Sequence, residues 1–300
     1  MKVGVMASEI CKAIYDRPLD VMEPNDIVRA IRHTIYLLQG LNVECLEFCV
    51  SNSRSMSNLL RAFNELGLRV QLQVHDVENS VKLAYKNSDV RKEALEDLKT
   101  MIELASDNSV EIMTVHPAYY KPKYNNYIPS IHVEKSLDYL EGYEMMINAL
   151  KELSTHASRY GITLGIENME CFSLITNKLL VTAHYGCKKS ELLDIINKVN
   201  NPCLRITYDI GHANLTQEGP VEFCRGIVGL IVNVHVSDNS GCRDEHAPIG
   251  HGNIDFYNVF KTLADDGYNG PIIVERSYDD YLLEDIKTIN DLLKRLNVLG

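Results

Sequence analysis

Short β-rich hydrophobic runs alternate along the whole chain with longer segments whose apolar residues recur at helical spacing. The runs predict eight strands: Lys2 to Ala7, Asn42 to Val50, Leu68 to His75, Val110 to His116, Ile162 to Asn168, Leu204 to Asp209, Leu230 to Ser237 and Pro271 to Ser277. The segments between them predict helices, among them residues 26–39, 89–105, 132–160 and 189–200. Strands and helices thus alternate from one end of the sequence to the other.

This alternation predicts the α/β class, because strands that alternate with helices form parallel sheets. Eight repeats with no low-complexity linker favour a single (β/α)8 TIM barrel that occupies residues 1–300 as one domain. An open, doubly wound sheet is the alternative fold. It is disfavoured because no G-x-G-x-x-G motif follows the first predicted strand.

Strand parity indicates which side chains face the interior of such a barrel, since alternate residues point to opposite faces. On the third predicted strand, Gln71, Gln73 and His75 share one face, and Leu72 and Val74 share the other. The later strands repeat this division, with an ionisable residue on the polar face near the carboxyl end. We therefore expect the upper interior of the barrel to be lined by polar groups.

Residues that can bind metals stand at the ends of six consecutive predicted strands, the third to the eighth. In a (β/α)8 barrel these ends form the active site. The residues expected there are His75, His116, Glu167, Asp209, His212, His235, Asp244, His246 and Glu275. Carboxylates and neutral imidazoles suit Zn²⁺, Mn²⁺, Co²⁺ or Fe²⁺, and cations offset the cost of placing several acids together. The pattern predicts a divalent-metal site, with Zn²⁺ or Mn²⁺ as the expected ion.

Each of these residues has a simpler explanation when it is taken alone. A strand-end histidine is more often a hydrogen-bonded rim residue, Glu167 can cap a helix, and Asp209 suits the turn at Gly211. The run from Asp244 to His246 can be a solvated loop. The coincidence over six strands is what favours the metal site.

The composition of the chain limits which partners and which cellular environment we expect for this site. The 300 residues carry a formal net charge of −11, so nucleic acid is not the default partner, although a locally basic or metal-filled groove is compatible with an acidic protein. No stretch approaches the length of a membrane span, and residues 1–10 lack the hydrophobic region of a signal peptide. The eight cysteines form no C-x-x-C motif, and several lie in apolar runs, which favours a reduced, cytoplasmic protein.

Four motifs carry a resemblance to a known superfamily. They are GIENM at 165–169, TYDIGHANL at 207–215, NVHVSDNSGCRDEHAPIGHGNIDF at 233–256 and IIVERS at 272–277. With these motifs, nearly the whole chain resembles the xylose-isomerase-like TIM barrels. That superfamily includes sugar and sugar phosphate isomerases and epimerases, inosose dehydratases and endonuclease IV.

The resemblance implies roles for individual residues. Glu167, Asp209, His235 and Glu275 match the family's central metal site. In the isomerase branch, Glu167 and Glu275 also flank the substrate carbon that loses and regains a proton, and the metal stabilises a cis-enediolate. His212 would contact a substrate oxygen or bind a further metal. A sugar or sugar phosphate is therefore the implied substrate, and one to three ions per chain are implied.

The same resemblance leaves an abasic-site DNA endonuclease as the alternative function. His75 and His116 match the pair that, in endonuclease IV, binds a second zinc bridged by the glutamate of strand five. His212, Asp244 and His246 match the third zinc site of that enzyme. All nine ligand positions of the nuclease thus have a counterpart in this chain.

Two departures from the nuclease favour the isomerase or epimerase interpretation. The segment from His235 to Asp244 is compact and contains one base, Arg243, where endonuclease IV has a longer basic segment. The β-α loops carry only scattered bases, whereas the nuclease must hold and bend a duplex. A metabolite-binding regulator without turnover, a third possibility, is disfavoured because the acid–base pair Glu167 and Glu275 is intact. The sequence is also compatible with a homo-oligomer.

Four other features allow two interpretations each. The loop 119–130 suits stacking on sugar rings or bases as well as packing on the rim, and the insertion 171–186, whose His184 we interpret as a rim residue, is expected to cover the site. Glu47 can contact substrate, but an interior ion pair is favoured. The pair Gly250-x-Gly252 can cradle a phosphate, but a tight turn is favoured.

Overall fold

The structure is a computed structural model, and it describes residues 1–68 and 70–299. Its strands are β1 (Lys2–Met6), β2 (Cys45–Val50), β3 (Gln71–Asp76), β4 (Ile112–Val115), β5 (Thr163–Glu167), β6 (Phe172–Ile175), β7 (Lys178–Val181), β8 (Leu204–Asp209), β9 (Ile231–Val236) and β10 (Pro271–Val274). Eight of them close into a barrel in the order β1-β10-β9-β8-β5-β4-β3-β2, whereas β6 and β7 form a separate hairpin. The barrel strands pair in parallel, and the predicted (β/α)8 TIM barrel is confirmed.

Helices surround this barrel and alternate with its strands. They are α1 (Ala7–Tyr15), α2 (Pro24–Leu37), α3 (Ser53–Leu66), α4 (Ser88–Asp107), α5 (Ile131–Lys135), α6 (Tyr139–Tyr160), α7 (Lys189–Val199), α8 (Ile210–Asn214), α9 (Gly219–Cys224), α10 (Phe256–Asp265) and α11 (Leu282–Arg295). Short 3₁₀ helices cover Leu19–Val21, Ser80–Ala84 and Val228–Leu230. Each barrel strand is thus followed by at least one helix, as a parallel barrel requires.

The barrel strands lie where the hydrophobic runs predicted them, with shorter bounds. The second strand begins at Cys45 instead of Asn42, because Asn42 has a φ of 50°, which lies in the left-handed region and not in the strand region. The eighth strand ends at Val274 instead of Ser277. The predicted start of the third strand at Leu68 includes position 69, which lies outside the described residues.

The longest predicted helix, residues 132–160, is instead two helices, α5 and α6, separated by three residues, Ser136 to Asp138. In that interval Leu137 N donates to Ala84 O, and Lys121 N donates to Leu137 O, both at 2.8 Å. The prediction of one continuous helix was wrong because these tertiary backbone hydrogen bonds override local helix propensity.

The two faces of the barrel strands carry different side chains, as strand parity predicted. Leu72 and Val74 on β3 belong to the large core between barrel and helices. The interior holds a small apolar cluster of Met6, Cys45 and Ile273. Next to it lies an interior polar cluster of buried side chains, namely Glu47, Gln73, Thr114, Thr207 and Asn233. The cluster includes side chains of β3, β8 and β9, the strands that also carry His75, Asp209 and His235.

The insertion 171–186 contains the hairpin β6–β7, which the sequence did not predict. Leu174 N donates to Cys242 O in the loop after β9 at 2.6 Å, and Ile128 N donates to Val181 O at 3.1 Å. The hairpin is thus tied to two other loops at the carboxyl end of the barrel. It packs on the rim of that face.

The described helices and cysteines can be compared with the expectations that the chain has no membrane span and that its thiols are reduced. α6, with 22 residues, is the longest described helix. Within residues 1–68 and 70–299 no helix combines the length and apolarity needed to cross a membrane. All eight cysteines are present as free thiols.

Candidate active site

Four residues from four strand ends form what we name the central cluster: Glu167, Asp209, His235 and Glu275. Glu167 and Asp209 are the last residues of β5 and β8, His235 lies near the end of β9, and Glu275 directly follows β10. One ligand atom from each lies within 4.8 Å of those of the other three. Parallel barrel strands all end at one face, which is why residues so far apart in sequence meet here.

His75 and His116 form a second cluster with Glu167. Their Nε2 atoms are 2.9 Å apart and lie 3.2 and 3.1 Å from Glu167 Oε2. The other oxygen, Glu167 Oε1, lies 3.3 Å from His235 Nδ1 in the central cluster. Glu167 therefore directs one oxygen to each cluster, which is the geometry of a bridging carboxylate.

Asp244, His212 and His246 form an outer cluster at the same face. Asp244 Oδ2 lies 2.9 Å from His246 Nε2 and 3.5 Å from His212 Nε2. The Nδ1 atoms of the two histidines bond backbone carbonyls, those of Asn168 and Glu275, both at 2.9 Å. This outer cluster is more open than the others: among the described residues, its three side chains are not one of the compact groups of potential ligand atoms. All nine predicted residues nevertheless lie at this face.

Asn168 cross-links two of the three strand ends that carry the central carboxylates, and sequence reasoning gave it no role. Its Nδ2 donates to Asp209 O at 2.9 Å, and its Oδ1 accepts from Asp209 N at 2.8 Å. Asp209 in turn caps α8 by accepting from His212 N. One amide side chain therefore fixes β5, β8 and the start of α8 relative to one another.

The Gly250-x-Gly252 segment wraps around a buried carboxylate of the chain itself. Asp238 Oδ2 accepts from the backbone N of both glycines at 2.9 Å, and Asp238 Oδ1 accepts from Asn239 N and Ile254 N at 2.9 and 3.3 Å. The N–H groups that could have held a phosphate are thus already used. A side chain at Gly252 would collide with Asp238 and with the backbone of Asn239.

A buried ion pair holds the loop that carries the outer cluster. Arg276, 3% exposed, contacts Asp285 on α11, also 3% exposed, and its Nε donates to His246 O at 3.0 Å. Asp285 Oδ1 also accepts from Ile249 N at 2.9 Å. These bonds help to hold His246 at its φ of 43°, an uncommon backbone angle for a residue with a side chain.

The charges of the central cluster are strongly coupled. Burial raises the pKa of Asp209 to about 7, and the nearby acids Glu167 and Glu275 add to that rise. Burial opposes ionisation of Glu275 as well, but the imidazole of His235 outweighs it and lowers the pKa to about 2. The same histidine, with His116, holds the pKa of Glu167 well below its ordinary value despite burial. Burial opposes protonation of His235, but Glu47, Glu275 and Glu167 outweigh it and hold its pKa well above the ordinary value, so this imidazole offsets part of the negative charge.

The donor set fits a divalent cation. Glu167 Oε2, Asp209 Oδ2 and Glu275 Oε2 are buried, and within the described part of the chain none has a hydrogen-bond donor in proper geometry. Glu275 Oε2 nevertheless lies 2.8 Å from His235 Nδ1. Two ligands on one tetrahedral Zn²⁺ stand about 3.3 Å apart, so short contacts of this kind are typical of ligands that share an ion. Oxygen and imidazole donors suit Zn²⁺ or Mn²⁺.

Comparison with known proteins identifies relatives of the chain. An uncharacterized protein of Methanocaldococcus jannaschii is 33% identical over 233 residues, which are 77% of this chain and 69% of that protein. The L-ribulose-5-phosphate 3-epimerase UlaE of Salmonella typhi is 28% identical over 219 residues, 72% of this chain and 68% of the enzyme. A solved structure of a D-tagatose 3-epimerase-like protein superposes with a TM-score of 0.73 at 27% identity and covers 99% of this chain and 98% of its own.

The resemblance carried by the four sequence motifs is also confirmed at the level of the family. The family described as xylose isomerase-like TIM barrel matches residues 43–297, which is most of the chain. This match includes seven of the eight barrel strands and all three clusters of candidate ligands. The chain therefore belongs to the xylose isomerase-like TIM barrel family.

Proposed function

We propose that the protein is a divalent-metal-dependent sugar epimerase or isomerase, and specifically a 3-epimerase of a ketose or ketose phosphate. The observation that carries this proposal is that two carboxylates lie close to the same nitrogen of one histidine. Glu275 Oε2 and Glu167 Oε1 lie 2.8 and 3.3 Å from His235 Nδ1. An epimerase must remove a proton from one face of a carbon and return it to the other face. Two carboxylates around one ligand position provide both groups.

The chain's own residues carry the proton transfer. One carboxylate of the pair Glu167 and Glu275 accepts the proton of the substrate carbon, and the other donates a proton from the opposite face. Asn168 O fixes His212 Nδ1, which leaves Nε2 to contact a substrate oxygen when the third ion position is empty or to bind that ion when it is filled. The central cluster would hold a divalent ion, which when bound would supply positive charge to polarise the substrate carbonyl. Glu167 is buried and the side chain of Glu275 is 16% exposed, so little water competes for the proton at this pair.

The relatives support the substrate class. The Salmonella typhi relative is named for epimerisation of L-ribulose 5-phosphate, and the superposed structure is described as similar to D-tagatose 3-epimerase. Both names refer to carbon 3 of a ketose. We therefore extend the ketose 3-epimerase chemistry, with or without a phosphate, to this chain.

The clusters define up to three ion positions. We propose the first ion at Glu167, Asp209, His235 and Glu275, a second at His75, His116 and Glu167, and a third at His212, Asp244 and His246. The first two sets are compact, with ligand atoms within 4.8 Å of one another. The outer set is more open, so its ion is expected to bind most weakly.

Deuterium exchange tests the function across several candidate sugars at once. The purified protein is analysed for metal, reconstituted with Mn²⁺ and incubated in D₂O with L-ribulose 5-phosphate, L-ribulose, D-tagatose and D-allulose. We expect deuterium at carbon 3 of at least one sugar, followed by its epimer in the NMR spectrum. Metal-loaded protein that exchanges no carbon-bound proton in any of these ketoses would contradict the proposal, and so would an active protein without metal.

One observation favours a second candidate, an abasic-site endonuclease. All nine candidate ligands lie at one face, with Glu167 placed to bridge two ions. The single base of the β9 loop, Arg243, pairs with Glu245 at 3.2 Å, which reduces its charge toward DNA phosphates. A duplex with one abasic site is incubated with the Zn²⁺-loaded protein. Rapid incision there, together with no deuterium exchange in ketoses, would replace the epimerase proposal.

We further propose that residues 1–300 act as one domain. The first and last parts of the described chain are in contact, because the amino group of Met1 donates to Val298 O at 2.6 Å. Asn42, just before β2, also donates through Nδ2 to Asn290 Oδ1 on α11 at 3.3 Å. The last described helix, α11, packs against β1. Limited proteolysis is expected to give no stable fragment shorter than the barrel.

A further inference from the structure

Glu47 is a fully buried carboxylate to which the proposed chemistry gives no role. It lies in β2 with 0% exposure, and its side chain faces the barrel interior. Its Oε1 lies 3.1 Å from His235 Nε2, and its Oε2 accepts from Asn233 Nδ2 at 2.8 Å. No lysine or arginine of the described residues pairs with it. A buried carboxylate is costly unless its hydrogen bonds are satisfied, so its partners identify its role.

His235 is held between Glu47 and the central cluster. Its Nε2 side meets Glu47, while its Nδ1 lies 2.8 Å from Glu275 Oε2 and 3.3 Å from Glu167 Oε1. Asn233 Nδ2 also lies 3.1 Å from His235 Nε2, but its shorter bond, at 2.8 Å, is to Glu47 Oε2. The amide of Asn233 therefore anchors the carboxylate, and the carboxylate faces the imidazole.

We propose that Glu47 is a positioning residue that accepts a hydrogen bond from His235 Nε2–H and thereby keeps His235 Nδ1 free to bind the divalent ion. This inference rests on the proposed metal-dependent function. A carboxylate behind a ligand histidine fixes the tautomer and ring orientation and makes the ligating nitrogen more basic. Loss of such a partner lowers metal affinity by about 10–100-fold.

Glu47 differs from the ligand carboxylates in its hydrogen bonding. Glu167, Asp209 and Glu275 each have one buried oxygen without a donor among the described residues, whereas both oxygens of Glu47 have partners. Glu47 does lie in a compact group with His75 and His235. The Nε2 of His75 is directed to His116 and Glu167, at 2.9 and 3.2 Å, while its Nδ1 has no partner among the described residues. Because both oxygens of Glu47 already have partners, the geometry favours support of His235 over direct ligation by Glu47.

Cobalt binding tests the inference independently of turnover. Metal-free wild-type protein, Glu47→Gln, Glu47→Met and Gln73→Met are titrated with Co²⁺, and calorimetry and the visible d–d spectrum give affinity and geometry. Gln73 is the matched control: it is the register partner of Glu47 on β3, is 0% exposed, and has neither side-chain polar atom hydrogen-bonded to the described residues.

Glu47→Met is expected to weaken Co²⁺ binding about 100-fold and to change the d–d spectrum, because His235 loses its fixed orientation. Glu47→Gln is expected to weaken binding about 10-fold and to keep the spectrum, because its amide oxygen still accepts from Nε2–H but carries no charge. Gln73→Met is expected to retain both. If Glu47→Met does not fold, the affinity of Glu47→Gln decides.

Each other outcome has one interpretation. Wild-type protein that binds no Co²⁺ would contradict the proposed function itself. Wild-type protein that binds Co²⁺, with Glu47→Gln and Glu47→Met matching its affinity and spectrum, would overturn only the role of Glu47. Loss of one full equivalent of Co²⁺ in Glu47→Gln, with the remaining ions bound normally, would show that Glu47 is a ligand and would overturn the inference too.

Discussion

At the scale of single residues, the substitution Glu275→Gln is predicted to reduce proton transfer without changing the fold. Glu275→Gln keeps the shape of the side chain but removes the carboxylate that lies 2.8 Å from His235 Nδ1. A positioned acid or base contributes about 10²–10⁴-fold to a rate, so exchange of the carbon-bound proton is expected to fall at least that far. Exchange in D₂O is measured by NMR, and circular dichroism checks the fold.

Glu245→Gln is the matched control for that substitution. Glu245 lies in the β9 loop outside the three clusters, where it accepts from Ser240 N at 2.7 Å and pairs with Arg243. It is expected to retain exchange at the wild-type level. Full exchange by Glu275→Gln would show that this carboxylate takes no part in the proton transfer.

Gly252 is predicted to tolerate no side chain. Its Cβ would meet Asp238 Oδ1 and the carbonyl of Asn239, both of which are fixed by the turn. Gly252→Ala is expected to lower the free energy of unfolding by about 1–3 kcal/mol, as overpacking does, measured by urea denaturation. Gly229→Ala is the control, since a Cβ there meets nothing within 4 Å; equal stability of the two variants would contradict the prediction.

The positions of the nine candidate ligands were predictable because each residue lies at a strand end or in the segment that follows one, and residue type and position are both local. The roles of Glu47 and Asn168 were not. Glu47 bonds His235 across the barrel, 188 positions away, and Asn168 bonds Asp209, 41 positions away. A Glu in a strand or an Asn after one has no local signal for such a partner, because barrel closure alone brings the two together.

At the scale of elements, hydrophobic periodicity predicted every barrel strand but not the elements defined by tertiary hydrogen bonds. The interval from Ser136 to Asp138 continues an amphipathic pattern, yet its backbone bonds the loops after β3 and β4. The hairpin β6–β7 lacks a type I′ turn dipeptide: Thr176 and Asn177 both adopt positive φ, of 47° and 62°, and Thr rarely does so. The conformation of such segments is determined by tertiary contacts more than by their local sequence.

The ion pair between Arg276, just after β10, and α11 is predicted to stabilise the β9 loop. Arg276→Met leaves Asp285 buried and without its cation, which is expected to cost about 3–5 kcal/mol in the free energy of unfolding. Urea denaturation measures it. The double variant Arg276→Met/Asp285→Leu removes the unpaired charge as well and is expected to recover part of the loss.

Asp279→Asn is the control for that pair, because Asp279 contacts the same arginine at 2.6 Å but its side chain is 42% exposed. An exposed pair contributes about 0–1 kcal/mol, so this variant is expected to remain near wild-type stability. Equal losses in the free energy of unfolding for Arg276→Met and Asp279→Asn would contradict the prediction that the buried pair of Arg276 and Asp285 stabilises the loop.

At the scale of the whole molecule, the coupled charges of the site link its stability to pH. Burial raises the pKa of Asp209 from 3.8 to about 7 in the folded protein, so the folded form holds a proton that the unfolded chain releases above pH 3.8. Burial opposes protonation of His246, but Asp244 and Glu275 outweigh it and raise its pKa from 6.5 to about 10. The folded state therefore binds more protons than the unfolded chain, first through Asp209 and then through His246, and stability falls as pH rises. Glu275 acts oppositely only below its ordinary pKa of 4.5, and His184, whose pKa is lowered by burial, acts oppositely below its ordinary pKa of 6.5.

The metal-free protein is therefore predicted to lose stability as pH rises from about 5 to about 9, and divalent ions are predicted to reverse this trend. An ion needs deprotonated Asp209 and neutral histidines, so its affinity rises with pH. An ion at 100 times its dissociation constant adds about 2.7 kcal/mol to the free energy of unfolding. Thermal unfolding is compared at pH 5.5 and pH 8 with a chelator and with excess Mn²⁺. The increase in Tm on adding Mn²⁺ is expected to be larger at pH 8; an equal increase at both values would show that the ion does not compete with these protons.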